Sequence, residues 1–360
     1  MPRFSARSSR AFVGWVLLVG AVGGTVIVGS QPAPFVIEQP GPVYDTLGSV
    51  EIDGVKKPLI AIPGEKTYPT TGKLDMLTVN LVGSRQLPLT WFDLATAWFD
   101  PKRSVVPIDA VYPPDQTDKE ADEEGSLEME TSQKAAIGAA LTELDIPFQS
   151  VVSVGAVVAG QPAEGVLKAG DVILSVAGHE VHTPKDVQDR IVAGGVGAPL
   201  TVVVRRGDSE KALQLTPVAS KDDPARAVIG IYPVADYDFP IDVRITLDRV
   251  GGPSAGQMFA LAIYDKLTPG ALVKGAHIAG TGTITADGTV GAIGGIRQKM
   301  YGAAADGAAW FLAPAANCNE VVGHIPAGLT VFATKNLDDS LAIVRTIAAG
   351  DDTSQLPTCQ

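Results

Sequence analysis

Residues 279–312 read AGTGTITADGTVGAIGGIRQKMYGAAADGAAWFL, and the residue in them that decides the reading is Lys299. Met300 adjoins it, Ile296 and Ala303 lie one helical turn away, and Ile293, Ala304 and Ala305 continue the apolar surroundings. A lysine ammonium ordinarily keeps its proton to about pH 10.4, so at neutral pH it cannot act as a base. Burial disfavours the charged form and lowers that value by up to several units. Taken alone, Lys299 reads as an ordinary helix lysine. Paired with a nucleophile, it reads as a general base.

The partner lies upstream. Between Ile241 and Val250 the chain alternates, with Ile241, Val243, Ile245 and Leu247 against Asp242, Arg244, Thr246 and Asp248, which predicts a half-buried strand. Gly251-Gly252-Pro253-Ser254-Ala255-Gly256 follows, and QMFALAIYDKL then predicts a helix ending before Thr268-Pro269-Gly270. Ser254 is thus expected where a glycine turn enters a helix N-terminus. There, backbone N–H groups around Gly252 to Ser254 would stabilise an oxyanion. Gly252 to Gly256 also satisfies G-x-S-x-G, the nucleophile elbow of α/β-hydrolases. That reading needs a histidine, and neither His277 nor His324 sits in a recognisable partner context.

Three blocks in order resemble the proteolytic domain of Lon proteases: Gly252-Pro253-Ser254-Ala255-Gly256, Thr281-Gly282-Thr283-Ile284 and Ile293-Gly294-Gly295-Ile296-Arg297-Gln298-Lys299. The resemblance implies Ser254 as nucleophile, Lys299 as base, and Thr281 beside the dyad, with Gly252 and Pro253 supporting it. Many members carry an acidic residue three positions before the serine, where this chain has Gly251. The resemblance also implies a homo-oligomer, although no interface is legible in the sequence.

Residues 147–218 form a second readable unit. Short β runs are separated by glycine and proline, and Thr183 with Pro184 opens a helix that stops at Gly194. Gln161-Pro162-Ala163, Leu167-Lys168-Ala169-Gly170-Asp171-Val172-Ile173-Leu174 and Gly178 resemble a PDZ domain of bacterial envelope proteases. Such domains take an extended peptide as an added strand. The resemblance places the peptide-binding loop at Phe148, Gln149, Ser150 and Val151.

The remainder sets the context. Arg3, Arg7 and Arg10 precede an uncharged run from Ala11 to Gly29, about 28 Å as a helix, roughly one hydrocarbon core. The basic flank predicts a cytoplasmic N-terminus, with the rest of the chain outside the cell membrane. A cleaved signal peptide is the rival, but the run is long for one and Gly29-Ser30-Gln31-Pro32 is a poor cleavage site. In an exported chain, Cys318 and Cys359 would pair; two buried thiols are the alternative. The strand KLDMLTVNLV and the helix LTWFDLATAWFD lie at 73–82 and 89–100, and a helix is expected from Ser132 to Leu144. The carboxylates from Asp115 to Glu130 lack a calcium-loop pattern and read as a solvated loop or helix start.

Net charge is -12, which argues against nucleic-acid partners. G-x-x-x-x-G-K-[ST] and H-E-x-x-H do not occur, and no Cys/His cluster is present, so neither ATP, metal nor cofactor is expected. The expected fold class is α+β multidomain. It comprises a tip and transmembrane anchor (1–30), an N-terminal region (31–146), a PDZ-like domain (147–218), a Lon-type proteolytic domain (228–350) and a tail (351–360). The expected function is ATP-independent hydrolysis of extracytoplasmic protein substrates, against the alternative of a non-catalytic envelope scaffold that binds protein termini.

Overall fold

The computed structural model describes residues 6–112, 118–220, 223–248 and 250–359, with the side chains of the N-terminal helix described from Trp15 onward. It has two compact units: Met1–Ala61, Lys66–Ala136 and Arg244–Gln360 form the first, and Ile62–Glu65 with Ile137–Val243 the second.

The first unit opens with helix α1 (Ala6–Gly29). It contains the run expected to cross a membrane. No helix among the described residues is long and apolar enough to do so. From Trp15 to Gly29 the described side chains cover about 22 Å, short of the roughly 30 Å of a hydrocarbon core. Strand β1 (Phe35–Asp45) then pairs antiparallel with β2 (Lys73–Val82), with a bulge between Pro40 and Val43. Helix α2 (Trp91–Ala97) starts from a capping box of Thr90 and Asp93. Strand β3 (Ser104–Pro107) pairs with β1. Helix α3 (Asp118–Glu143) begins well before the expected Ser132. Its acidic first turns suit the positive end of a helix, so the acidic residues from Asp118 on are helical, with side chains described from Lys119, while Asp115 lies outside the described residues.

The second unit holds β4 (Gln149–Val157), β5 (Val172–Val176), helix α4 (Pro184–Gly194), β6 (Leu200–Arg206), β7 (Ser209–Leu215) and β8 (Ile231–Asp238). These strands form an antiparallel sheet ordered β7-β6-β5-β4-β8. Val187 and Ile191 of α4 close its core over Val152, Ile173, Val202 and Val204. The Gly170-Asp171 turn is held locally. Asp171 accepts from Lys168 N–H at 2.9 Å and from Arg206 at 2.6 Å. Strand β8 departs from the expected division, which placed residues from 228 in the next domain. It returns along β4 after a long excursion, a pairing that no local periodicity announces.

The chain then re-enters the first unit with helix α5 (Gly256–Leu267), β9 (His277–Gly280), helix α6 (Ile296–Asp306), β10 (Trp310–Pro314), β11 (Thr330–Thr334) and helix α7 (Leu337–Ala349). The six-stranded sheet runs β11-β10-β9-β2-β1-β3, and β2, β9, β10 and β11 are parallel. Residues 31–146 are therefore not a separate region, because their strands form half of the sheet that carries Lys299. The strand expected over Ile241–Val250 is reduced to Arg244–Ile245, paired with Ile60–Ala61. Leu77, Ala279 and Phe311 face α6 with its Ile296, Met300 and Ala303. On the other face Met258 of α5 reaches Gly280. Cys318 and Cys359 are joined by a disulfide, with Cα atoms 4.9 Å apart.

Candidate active site

Ser254 lies in the turn that feeds α5, and Lys299 lies in the first turns of α6, N-capped by Gly295. Helices on opposite faces of one sheet bring them together. Lys299 Nζ stands 2.7 Å from Ser254 Oγ and 3.1 Å from Thr281 Oγ1. The Thr281 hydroxyl donates to the Ser254 carbonyl at 2.9 Å, so towards Lys299 it acts as acceptor. One amine hydrogen is thereby directed at Thr281. A neutral amine held this way can turn its lone pair to Ser254. Gly282 N–H also donates to the Ser254 carbonyl, at 2.8 Å, which fixes the nucleophile against the Thr281 segment.

Lys299 is only 3% exposed. Burial pulls its pKa down to about 7, with Glu38 opposing the fall. That value makes a substantial fraction of the amine neutral at physiological pH. Glu38 is the residue that sequence reasoning missed. It lies on β1, far away in sequence, and lines the same cleft of about 480 Å³ as Ser254 and Lys299. Its own carboxyl is pushed up, mainly by burial and then by Glu320, while Lys299 pulls it back. Nothing in the sequence ties Phe35–Asp45 to α6, and its run FVIEQPGPVYD carries no strand alternation.

The nucleophile turn is built by backbone contacts. Gly252 has φ +85°, a conformation glycine adopts without strain. Its N–H donates to the Gly125 carbonyl of α3 at 2.9 Å. Ser132 of α3 donates to the Pro253 carbonyl at 2.8 Å. A Cβ on Gly256 would meet Ser132 Oγ and Ile284 at 2.9 Å, so the position tolerates only glycine at this spacing. The expected oxyanion role of Gly252 and Pro253 is corrected by these bonds. Gly252 has spent its N–H on Gly125, and proline has none. Gly251 packs on the Gly125 backbone.

Phe148, Gln149, Ser150 and Val151, expected to bind peptide, are covered on one side. Gln149, Ser150 and Val151 pair with Asp238, Tyr237 and Asp236 of β8. Phe148 packs on Tyr237 and Phe239, with ring centroids 5.7 and 5.3 Å away. One of the two edge strands of this sheet is β8, with Tyr232 and Val234 exposed and α4 beside it. Proline at 233 suits an edge strand. His277, which a hydrolase triad would need, hydrogen-bonds Asp75, and its Nε2 is 3.5 Å from Asp306. Asp306 also forms an ion pair with Lys73 at 3.1 Å, so the histidine belongs to a polar cluster at the far end of β9.

Residues 248–346 match the Lon protease (S16) C-terminal proteolytic domain, and residues 129–216 match the PDZ domain family. The chain carries both domains. Over 110 residues it is 37% identical to a Lon protease of Buchnera aphidicola, covering 30% of this chain and 14% of that protein. Over 113 residues it is 34% identical to a Lon protease of Geobacter metallireducens, covering 31% and 14%. The chain thus spans about a seventh of the length of these relatives. A putative serine protease HhoB of Synechocystis is 37% identical over 65 residues, 18% of this chain and 16% of that protein. A solved PDZ domain of an SdrC-like protein from Listeria monocytogenes is 28% identical, covering 23% of this chain and 86% of that one, with a TM-score of 0.22.

Proposed function

We propose that the chain is a serine endopeptidase that cleaves peptide bonds through an acyl-enzyme on Ser254. The observation that carries the reading is Lys299 Nζ, with its pKa lowered to about 7, held 2.7 Å from Ser254 Oγ. In acylation, neutral Lys299 takes the hydroxyl proton as Ser254 attacks the carbonyl, then passes it to the leaving amine. In deacylation, it takes a proton from water, the hydroxide attacks the acyl carbon, and the proton returns to Ser254. The oxyanion falls to N–H groups from Ser254 onward at the start of α5.

Peptide substrates would dock along β8 by strand addition, under α4. Without a P-loop sequence in the chain, the reaction is proposed to proceed without ATP. The disulfide supports an oxidising, extracytoplasmic location. The basic flank and apolar run of the sequence support a tether to the cell membrane. A fluorophosphonate probe tests the catalytic reading. Labelling should be lost in Ser254→Ala and nearly lost in Lys299→Ala. An unlabelled wild-type chain would favour the non-catalytic scaffold.

A further inference from the structure

Five large apolar side chains, Leu87, Trp91, Phe92, Trp98 and Phe99, lie exposed in and beside α2. Trp98 is 62% exposed and Phe99 90%. Trp91 and the helical-conformation cap residue Trp98 are two helical turns apart and share one side, and Phe99 follows in the turn after the helix. The opposite side is spent on the core, where Leu94 and Ala97 pack on Ala33 and Ile37. Trp91 leans edge-on on Phe35, with ring centroids 6.0 Å apart, so Trp98 and Phe99 are the aromatics the fold leaves most exposed.

This patch adjoins the end of α1. Gly29 lies against the Phe92 ring. Just beyond it, Pro32 bridges to Thr90, and Ala33 N–H donates to the Leu89 carbonyl at 2.8 Å. From Trp15 to Val28 the apolar side chains of α1 are exposed around the whole circumference, not along one stripe. A docked protein covers a stripe, whereas a helix apolar on all sides calls for an apolar solvent. The two surfaces are continuous, and tryptophans where an apolar helix meets water suit the lipid headgroup region.

We propose that Leu87–Phe99 rests in the interfacial layer of a lipid bilayer beside the point where α1 enters it. This deepens the tether reading above and rests on it. Membrane contact would then involve the folded first unit as well as the helix.

Both native cysteines are in the disulfide, so Phe99→Cys supplies a single thiol at a position whose side chain is 90% exposed. The full chain would carry an environment-sensitive fluorophore there and be mixed with vesicles of phosphatidylcholine and phosphatidylglycerol. The expected result is co-sedimentation, a several-fold rise and blue shift in emission, and protection from aqueous iodide. Co-sedimentation with an unshifted, iodide-quenched probe would overturn the α2 contact and leave the tether standing. No co-sedimentation would overturn the tether and this inference together.

Discussion

Lys299 gains its basicity from where it is buried. The ammonium loses hydration among Ile296, Met300 and their neighbours, and Glu38 returns only part of the loss. The sign of the pH dependence follows. Serine acylation should rise as pH climbs through about 7 and then level off, since only the neutral amine accepts a proton. Removing the Glu38 charge removes what stabilises the ammonium, so Glu38→Gln should move that rise to lower pH. Lys299→Arg should abolish it, because a guanidinium does not deprotonate in this range. Stability has its own signature. The unfolded lysine holds its proton up to about 10.4, so between about 7 and that value the unfolded chain binds more protons than the folded one. Stability should rise with pH across this window by roughly a few kcal/mol, and Lys299→Met should flatten the rise in urea titrations. Ser254, Lys299 and Thr281 were legible because their blocks are contiguous in sequence. Glu38 was not, because it reaches the cleft only through strand pairing.

Among the elements, α3 governs the nucleophile turn. Gly125 takes the Gly252 N–H, and Ser132 bonds the Pro253 carbonyl. Ser132→Ala should lower the acylation rate about tenfold, equivalent to roughly 1.4 kcal/mol, with little change in peptide KM if it only loosens the turn. Equal loss of soluble protein would mark it as merely structural. In the second unit, Val234→Asp on β8 should weaken peptide binding by calorimetry, whereas Ser150→Ala on covered β4 should leave it unchanged. The local elements were readable from the sequence, including the Thr183 cap and the strand at 73–82. The partners of β8 and β2 were not, since parallel and long-range pairings leave no mark in nearby residues.

At the scale of the whole molecule, the order of the chain differs from its order in space. The sequence suggests regions strung in a line, yet β1 and β2 complete the sheet on which residues 277–334 depend. A truncated chain beginning at residue 228 would lack β1, β2 and β3 and should not fold. The disulfide closes the tail onto this unit across a separation of 41 residues. Its removal by Cys318→Ala with Cys359→Ala should cost about 4 kcal/mol by loop entropy, seen as a lower Tm. The account as a whole turns on a neutral lysine beside a serine. The most direct test is the rate of fluorophosphonate labelling of the full chain against pH, from 5 to 10, for the wild type and for Lys299→Met. The prediction is a rise with a midpoint near 7 in the wild type, absent in Lys299→Met. A rise still climbing near pH 10, or equal labelling of the two proteins, would contradict it.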